Sequence, residues 1–179
     1  NVIGYRWYSN DSLNNWNRSL LRTFIVANII PNICQIVYPV NGNNYTALDI
    51  NYTCLDADGD SLKYYVYING TMNISATLTN VSDWNASDGF YNVIVQADDS
   101  STNSTLSSAV EFGIDTTPPS FTNNETNATK MRVNGNATFN ITISDYGSGL
   151  SYYIFSWNGT GVWENKTNGT VSGHSMKLV

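Results

Sequence analysis

An internal repeat of 88–89 residues constrains this chain more than any other feature, because each copy must fold into a small unit of its own. Residues 24–26 align with residues 112–114, and Pro31 aligns with Pro119, at an offset of 88 residues. Further matches at 88 or 89 residues join 10–12 with 98–100, 62–67 with 150–155, Asp56 with Asp145, and 69–71 with 158–160. The sequence therefore predicts a series of similar domains.

Short runs of alternating apolar and polar residues predict β-strands along the whole chain. In residues 48–54 and 91–97 every second residue is apolar, so one face of each strand is expected to be buried. Turn signals such as Asn69-Gly70 separate the runs, and twelve Tyr and five Trp residues favour strands. No amphipathic helical pattern is present. About seven short strands in a repeat predict an all-β fold of tandem immunoglobulin-like β-sandwiches, with the first and last domains incomplete.

The phase of the repeat divides the chain into one whole domain and two partial ones. Residues 31–115 match a complete repeat, residues 1–30 match the last two strands, and residues 116–179 match a repeat without them. A sandwich without these strands would expose its core and its edges. Either the polypeptide continues in both directions, or residues 1–30 of one copy complete residues 116–179 of the next by strand complementation. Both solutions give a head-to-tail series.

The glycosylation sequon Asn-x-Ser/Thr occurs sixteen times, whereas 26 Asn and 37 Ser plus Thr residues would give roughly five by chance. This excess predicts a surface that carries N-linked glycans outside the cell. The alternative is that an Asn- and Thr-rich β-protein forms sequons by accident. The predicted glycosylation sites are Asn10, Asn17, Asn44, Asn51, Asn69, Asn73, Asn80, Asn85, Asn103, Asn124, Asn127, Asn136, Asn140, Asn158, Asn165 and Asn168.

Strand alternation supports the glycosylation hypothesis at two of these sites. Asn140 lies between Phe139 and Ile141, and Asn51 lies between Ile50 and Tyr52. Because neighbouring side chains of a strand point to opposite faces, both asparagines are expected to point away from the core. A glycan could then be attached at either position without entering the interior.

Several segments resemble prokaryotic immunoglobulin-like and cadherin-like surface repeats. Residues 56–64 (DADGDSLKY) resemble the turn between the B and C strands of these repeats. Residues 88–99 resemble their E–F corner and F strand, and Tyr91 occupies the position of their tyrosine corner. Residues 115–119 (DTTPP) are similar to the linkers between repeats.

Aromatic residues in the two partial repeats resemble archaeal members of the family. These are Trp7, Tyr8 and Trp16 in the first segment and residues 156–160 (SWNGT) in the last. The resemblance covers nearly the whole chain. It implies surface display, adhesion, stalk or filament roles, without catalysis, and it does not identify a partner.

Cys34 and Cys54 are the two cysteines of the chain. The resemblance places Cys54 on the B strand, whereas Val93 and Val95 occupy the region of its usual F-strand partner. A bridge from Cys54 to Cys34 on the preceding strand is sterically natural if the two strands are neighbours. It would close a loop of about twenty residues and contribute roughly 3 kcal/mol in an oxidising environment. The alternative is two buried thiols.

Carboxylates cluster in the turn at residues 56–60, where Asp56, Asp58 and Asp60 offer the oxygen ligands that Ca²⁺ prefers. A cadherin-like site at a domain junction could add Asp98, Asp99 or Asp115. The matching turn of the last repeat keeps one acid, Asp145, which argues against a repeated metal site. We therefore expect an Asx-rich turn and no cofactor, with Ca²⁺ as the weaker alternative.

Composition argues against several classes of function. A net charge of −6, with 12% charged residues, provides no basic face for nucleic acid. No run of about 18 apolar residues is present, so a membrane segment is not expected. His174 is the only histidine, and no nucleophile motif accompanies it, so an enzyme is not expected.

The sequence as a whole predicts a non-enzymatic structural repeat of a heavily N-glycosylated protein at the cell surface or in an extracellular filament. Its expected partners are N-linked glycans and further copies of itself, arranged head-to-tail. The alternative is a Ca²⁺-dependent or carbohydrate-binding adhesin module. The alternative requires a metal at the turn of residues 56–60, or an aromatic platform that is free of glycan.

Overall fold

The computed structural model describes residues 2–130, 132 and 134–178, and all regular elements in these residues are β-strands. This confirms the predicted all-β fold class. Among the described residues, no helix has the length and apolar character needed to cross a membrane. The strands are β1 (Val2–Tyr5), β2 (Tyr8–Asn10), β3 (Trp16–Arg18), β4 (Arg22–Ile25), β5 (Gln35–Tyr38), β6 (Asn44–Tyr45), β7 (Leu48–Thr53), β8 (Lys63–Ile68), β9 (Thr71–Thr77), β10 (Val81–Trp84), β11 (Gly89–Asp98), β12 (Val110–Ile114), β13 (Ser120–Thr126), β14 (Phe139–Ser144), β15 (Tyr152–Trp157), β16 (Glu164–Thr170) and β17 (Ser175–Leu178).

Strands β5 to β12 form two sheets that enclose a common core. One sheet has the order β10-β7-β5, and the other has the order β6-β12-β11-β8-β9. Neighbouring strands are antiparallel, except that β6 and β12 are parallel. Strands β5, β7 and β10 thus stand where an immunoglobulin-like sandwich has A, B and E, and β8, β11 and β12 stand where it has C, F and G.

The core lies between these two sheets. Strands β7 and β11 bury every second residue, as the alternation predicts. Phe112 stacks on Tyr91 and meets Trp84 edge-on, with ring centroids 5.9 and 5.6 Å apart. The Tyr91 hydroxyl donates a 2.7 Å hydrogen bond to the Ser87 carbonyl oxygen, which is the expected tyrosine corner. The buried core residues are Cys34, Leu48, Ile50, Tyr52, Val66, Ile68, Val93, Val95, Ala97, Phe112 and Ile114.

Strands β1 to β4 form a long hairpin that reproduces the β11–β12 pair of the sandwich. Ile3 is opposite Phe24 in the hairpin, and Tyr91 is opposite Phe112 in the sandwich. Both residues of the first pair lie 88 positions before those of the second, so the two pairs share one register. The environment differs, because Phe24 is 52% exposed and Phe112 is 2% exposed. The hairpin therefore pairs in the same way as β11 and β12, the last two strands of the sandwich, but its apolar side chains are not buried.

Strands β13 to β17 form a three-stranded sheet, in the order β13-β14-β17, and a two-stranded sheet of β15 and β16. β14 and β15 correspond to β7 and β8 of the sandwich. β8 lies between β9 and β11, whereas β15 pairs with β16 alone among the described strands. In the described residues, no sheet combines strands from the segments 1–30, 31–115 and 116–179. The domain boundaries themselves stay a prediction.

The alignment of residues 62–67 with 150–155 is wrong by one residue beyond Leu62 and Leu150. The inward residues that follow are Tyr64, which packs on Tyr52, and Tyr153. The strands therefore correspond at an offset of 89 residues, with one extra residue after Leu150. A shift of one residue would turn every side chain of β15 to the other face, so burial determines the correspondence.

Candidate functional site

The sequon asparagines lie mostly on the surface. Fourteen of the sixteen are exposed, so a glycan could be attached there without entering the core. The exceptions are Asn51 and Asn140, which are half-buried. Asn51 lies on the outer face of β7, between buried Ile50 and Tyr52, as predicted. Asn140 is less accessible than the alternation suggests, because its Oδ1 is shielded from solvent and has no hydrogen-bond partner.

Five sequon side chains accept a hydrogen bond from a group that can only donate. A backbone or indole N–H can only donate, so the accepting atom is the amide oxygen Oδ1. The N-linked sugar is attached to the other amide atom, Nδ2. These bonds therefore hold the side chain in place and leave the attachment atom available. The pairs are Asn17 with Arg18 N, Asn69 with Asn92 N, Asn73 with Trp84 Nε1, Asn80 with Tyr52 N, and Asn127 with Thr138 N.

Several exposed sequons lie on strands at the edges of sheets. Asn51 and Asn140 instead lie on β7 and β14, which have partner strands on both sides. A sheet edge presents unpaired N–H and C=O groups that invite pairing with another chain, and a bulky sugar would obstruct such pairing. The edge-strand sequons are Asn10 on β2, Asn17 on β3, Asn44 on β6, Asn73 on β9, Asn124 on β13, and Asn165 and Asn168 on β16.

A disulfide joins Cys34, directly before β5, to Cys54, directly after β7. The two Cα atoms are 4.4 Å apart, and β5 and β7 are antiparallel neighbours. The structure thus has the bridge and not two separate thiols. In the last repeat, Ile143 precedes its turn aspartate by two residues, as Cys54 does, and it is opposite Phe121. An apolar pair therefore occupies the place of the disulfide there.

The turn at residues 56–60 is held by its first carboxylate. Asp56 Oδ1 accepts hydrogen bonds from the backbone N–H groups of Asp58 and Asp60, at 3.1 and 3.4 Å. Asp145 Oδ1 makes the same two bonds, to residues two and four positions later, at 2.9 and 3.3 Å. The turn therefore needs one aspartate, and the other two carboxylates of the first turn are not required by its geometry.

The carboxylates of Asp56, Asp58 and Asp60 lie within 4.8 Å of one another and could ligate a cation. Asp56 Oδ2 is shielded from solvent and has no hydrogen-bond partner. The nearby Asp58 carboxyl raises the pKa of Asp56, whereas the interaction with Asp56 and the hydrogen bond from the Ile29 N–H lower the pKa of Asp58. Among the described residues, this carboxylate group does not include Asp98, Asp99 or Asp115.

Three hydrogen bonds attach the first segment to one end of the sandwich. Asn28 Nδ2 donates to Asp99 Oδ2 at 2.7 Å and to Thr102 Oγ1 at 3.2 Å. The Ile29 N–H donates to Asp58 Oδ2 at 3.1 Å. The bond from Asn28, with one from the Thr102 backbone, lowers the pKa of the Asp99 carboxyl to about 2. We call this set of contacts the upper junction.

A second set of contacts, the lower junction, lies at the opposite end of the sandwich. Asp88 accepts hydrogen bonds from the Thr116 N–H and from the hydroxyls of Thr116 and Thr117. Asp115 accepts one from the Ser148 N–H in the next repeat. Hydrogen bonds from Thr117 and then Thr116 lower the pKa of Asp88, and those from Ser148 lower the pKa of Asp115. The sequence indicates only a linker here and does not predict these contacts.

His174 contacts the backbone of the turn at Asp145. Its ring Nδ1 lies 3.0 Å from the backbone carbonyl oxygen of Asp145, and its side chain is exposed. A cleft of about 350 Å³ at the lower junction is lined in part by Phe90, Tyr146 and the carboxylates of the junction. These carboxylates already accept hydrogen bonds from the linker and from the next repeat. The arrangement therefore supports a connection between repeats more readily than catalysis.

No family model matches the chain. No curated protein matches it either. The chain is similar to a solved structure of fibronectin(III)-like modules of Clostridium thermocellum CbhA, with 21% identity and a TM-score of 0.40 over 63% of each chain. It is also similar to the FN1–FN3 domains of chicken CNTN1, with 14% identity and a TM-score of 0.34 over 98% of this chain and 66% of that one. The chain thus spans less than two thirds of the length of either structure.

Proposed function

We propose that the chain is a non-enzymatic structural repeat of a heavily N-glycosylated extracellular protein, in a cell-surface array or a filament. The observation that carries this proposal is the distribution of the sequons. Fourteen of the sixteen asparagines are exposed, and the sequons occur in all three segments of the chain. A protein with sugars on so much of its surface has little of that surface left for a pocket, and its role is to present or connect.

The two junctions support a connecting role. Asn28 and Ile29 attach one segment to the Asp58 and Asp99 end of the sandwich, and Asp88 holds the linker at the other end. Each contact joins residues that are at least 28 positions apart in the chain. Such contacts restrict the angle between successive repeats, as a stalk or a filament requires.

Intact-mass measurement of the protein from its native source tests the glycan proposal. We expect treatment that removes N-glycans to lower the measured mass of the native protein by the mass of several glycans. Peptide mapping should place sugar on Asn69 and Asn80, whose amide oxygens are already hydrogen-bonded, and should show lower occupancy at Asn140. A native mass that this treatment leaves unchanged contradicts the proposal.

A Ca²⁺-dependent or carbohydrate-binding adhesin is the second candidate function. The unpartnered Asp56 Oδ2 beside Asp58 and Asp60 favours it, because an ion would satisfy this oxygen. Thermal unfolding with and without millimolar CaCl₂ separates the candidates. A Ca²⁺-dependent rise in midpoint that disappears in Asp58→Asn supports the adhesin, whereas an unchanged midpoint supports the structural repeat.

A further inference from the structure

Within residues 116–178, one edge of β15 has no partner among the described strands and lies beside an apolar cleft. β15 pairs with β16 on one side, and its counterpart β8 also pairs with β11 on the other. Phe121, Ile143, Leu150 and the inward Tyr153 help to line a cleft of about 260 Å³ between the two sheets. Phe121 is 64% exposed. In the complete sandwich, β11 and β12 cover the corresponding surface.

The β1–β4 hairpin matches the two strands that cover the corresponding surface in the sandwich. The β1–β4 pair has the register of β11–β12, and its apolar side chains are uncovered. Ile3, Tyr5 and Phe24 are 43%, 50% and 52% exposed. Ile3 and Tyr5 share a face of β1, and Phe24 is opposite Ile3, so the three form one apolar face. The edge of β15 exposes backbone N–H and C=O groups, and the hairpin exposes an apolar face, so each could cover the other.

The sandwich separates the hairpin from the cleft within one copy. The upper junction attaches the first segment near Asp99, just after β11 ends, and the lower junction attaches the last segment near Asp88, just before β11 begins. β11 has ten residues, which corresponds to about 33 Å of extended strand. The hairpin therefore reaches the cleft of another copy more readily than the cleft of its own chain.

The strands that would pair contain no sequon asparagine. None lies on β1, β4 or β15, whereas β16, on the paired side of β15, contains Asn165 and Asn168. The nearest sequons are Asn158, directly after β15, and Asn10 and Asn17 on β2 and β3. Sugars on β16 would thus obstruct the paired side of this sheet, and β15 itself would carry none.

We propose that the β1–β4 hairpin of one copy docks between the two sheets of residues 116–178 in a second copy and pairs with β15. This inference rests on the proposed function, because it identifies the partner as another repeat of the same protein. Applying the offsets of 88 and 89 residues to the β11–β8 register places Tyr5 opposite Trp157 and Trp7 opposite Phe155. The contact is head-to-tail, so repeated docking extends an open filament.

The glycosylated 179-residue chain tests this with two neighbouring substitutions. Phe24→Asp places a charge on the face that docks, since the matching Phe112 is 2% exposed. Thr23→Asp is the matched control, because the corresponding position in the sandwich holds Glu111, an exposed acid. Phe24 is already 52% exposed in the free hairpin, so neither change should disrupt a single copy.

Analytical ultracentrifugation over a concentration series provides the readout. We expect the unmodified chain and Thr23→Asp to associate into chains of increasing length. Phe24→Asp should weaken association by roughly a hundredfold or more, since it buries a charge in an apolar contact. A monomer at every concentration, or association that Phe24→Asp does not change, overturns the proposal.

Hydrogen exchange identifies the strand involved. We expect the β15 amides to be protected in the unmodified chain and in Thr23→Asp, and to exchange faster in Phe24→Asp, while the β8 amides do not change. Equal β15 exchange in all three proteins contradicts the proposal. Failure here leaves the glycan measurements untouched, and a native mass that glycan removal does not change leaves the association unaffected, so the two proposals fail separately.

Discussion

The disulfide between Cys34 and Cys54 gives a sharp prediction at the scale of single residues. It closes a loop whose ends are 20 positions apart, and closure of such a loop removes conformational freedom from the unfolded chain. We expect reduction of the bridge to lower the free energy of unfolding by about 3 kcal/mol. Chemical denaturation with and without a reductant measures this difference, followed through Trp84 in the sandwich.

The double variant Cys34→Ala with Cys54→Ala provides the control. It should unfold at a denaturant concentration near that of the reduced protein, and reductant should not shift it further. If reductant leaves the unfolding of the unmodified protein unchanged, the bridge does not contribute to stability.

Single residues were the most predictable part of the fold. The Asn69-Gly70 signal predicts a tight hairpin, and both residues have positive φ between β8 and β9. In a strand with one buried face, every second side chain is buried, so the alternation predicts that Val93 and Val95 are buried. Both are fully buried. Alternation fails at Asn140, where burial of Oδ1 depends on neighbours from other strands that the local pattern does not contain.

At the scale of elements, the junctions predict a response to acid. The pKa of Asp99 is about 2 and those of Asp88 and Asp115 are lowered, against an ordinary value of 3.8. A carboxyl whose pKa is lowered in the folded state stabilises the fold at pH values above its ordinary pKa. This contribution is lost as the pH falls through the folded-state pKa. We expect the thermal midpoint to fall, and the angle between repeats to vary more, between pH 4 and pH 2.

Asp88→Asn tests the origin of this response. The amide still accepts hydrogen bonds from Thr116 and Thr117 but carries no charge. The thermal midpoint and the angle between repeats should therefore change less with acid than in the unmodified protein. Asp83→Asn in β10 is the matched control and should keep the full dependence. Small-angle scattering and thermal unfolding at pH 5 and pH 2 report the two effects, and equal acid responses in all three proteins would contradict this assignment.

Contacts between elements were less predictable than the elements. The segment 115–119 is recognisable as a linker from its composition. The hydrogen bonds that Asp88 accepts from Thr116 and that Asp115 accepts from Ser148, however, join residues 28 and 33 positions apart. Nothing in a local pattern pairs such residues. The extra residue after Leu150 was missed for a related reason, since only packing against a second sheet determines which face of β15 is inward.

The whole molecule was predictable in outline because the repeat carries long-range information. A period of 88–89 residues gives each segment its place in a sandwich, and the β1–β4 and β11–β12 registers agree with that placement. The candidate site was less predictable. The sequence supplies the sequons, whereas their positions on edge strands depend on which strands are neighbours in the sheets.

Removal of the glycans should change how whole molecules associate. Edge strands β9, β13 and β16 carry sequons, and an unprotected edge pairs readily with another sheet. We expect enzymatic deglycosylation to cause lateral association of copies or filaments, visible as rising light scattering and thicker assemblies in electron micrographs. Phe24→Asp distinguishes lateral association from head-to-tail docking. After deglycosylation, the Phe24→Asp protein should still associate laterally, although it should not form extended filaments. If deglycosylated protein keeps the scattering of the native material, the sugars do not protect these edges.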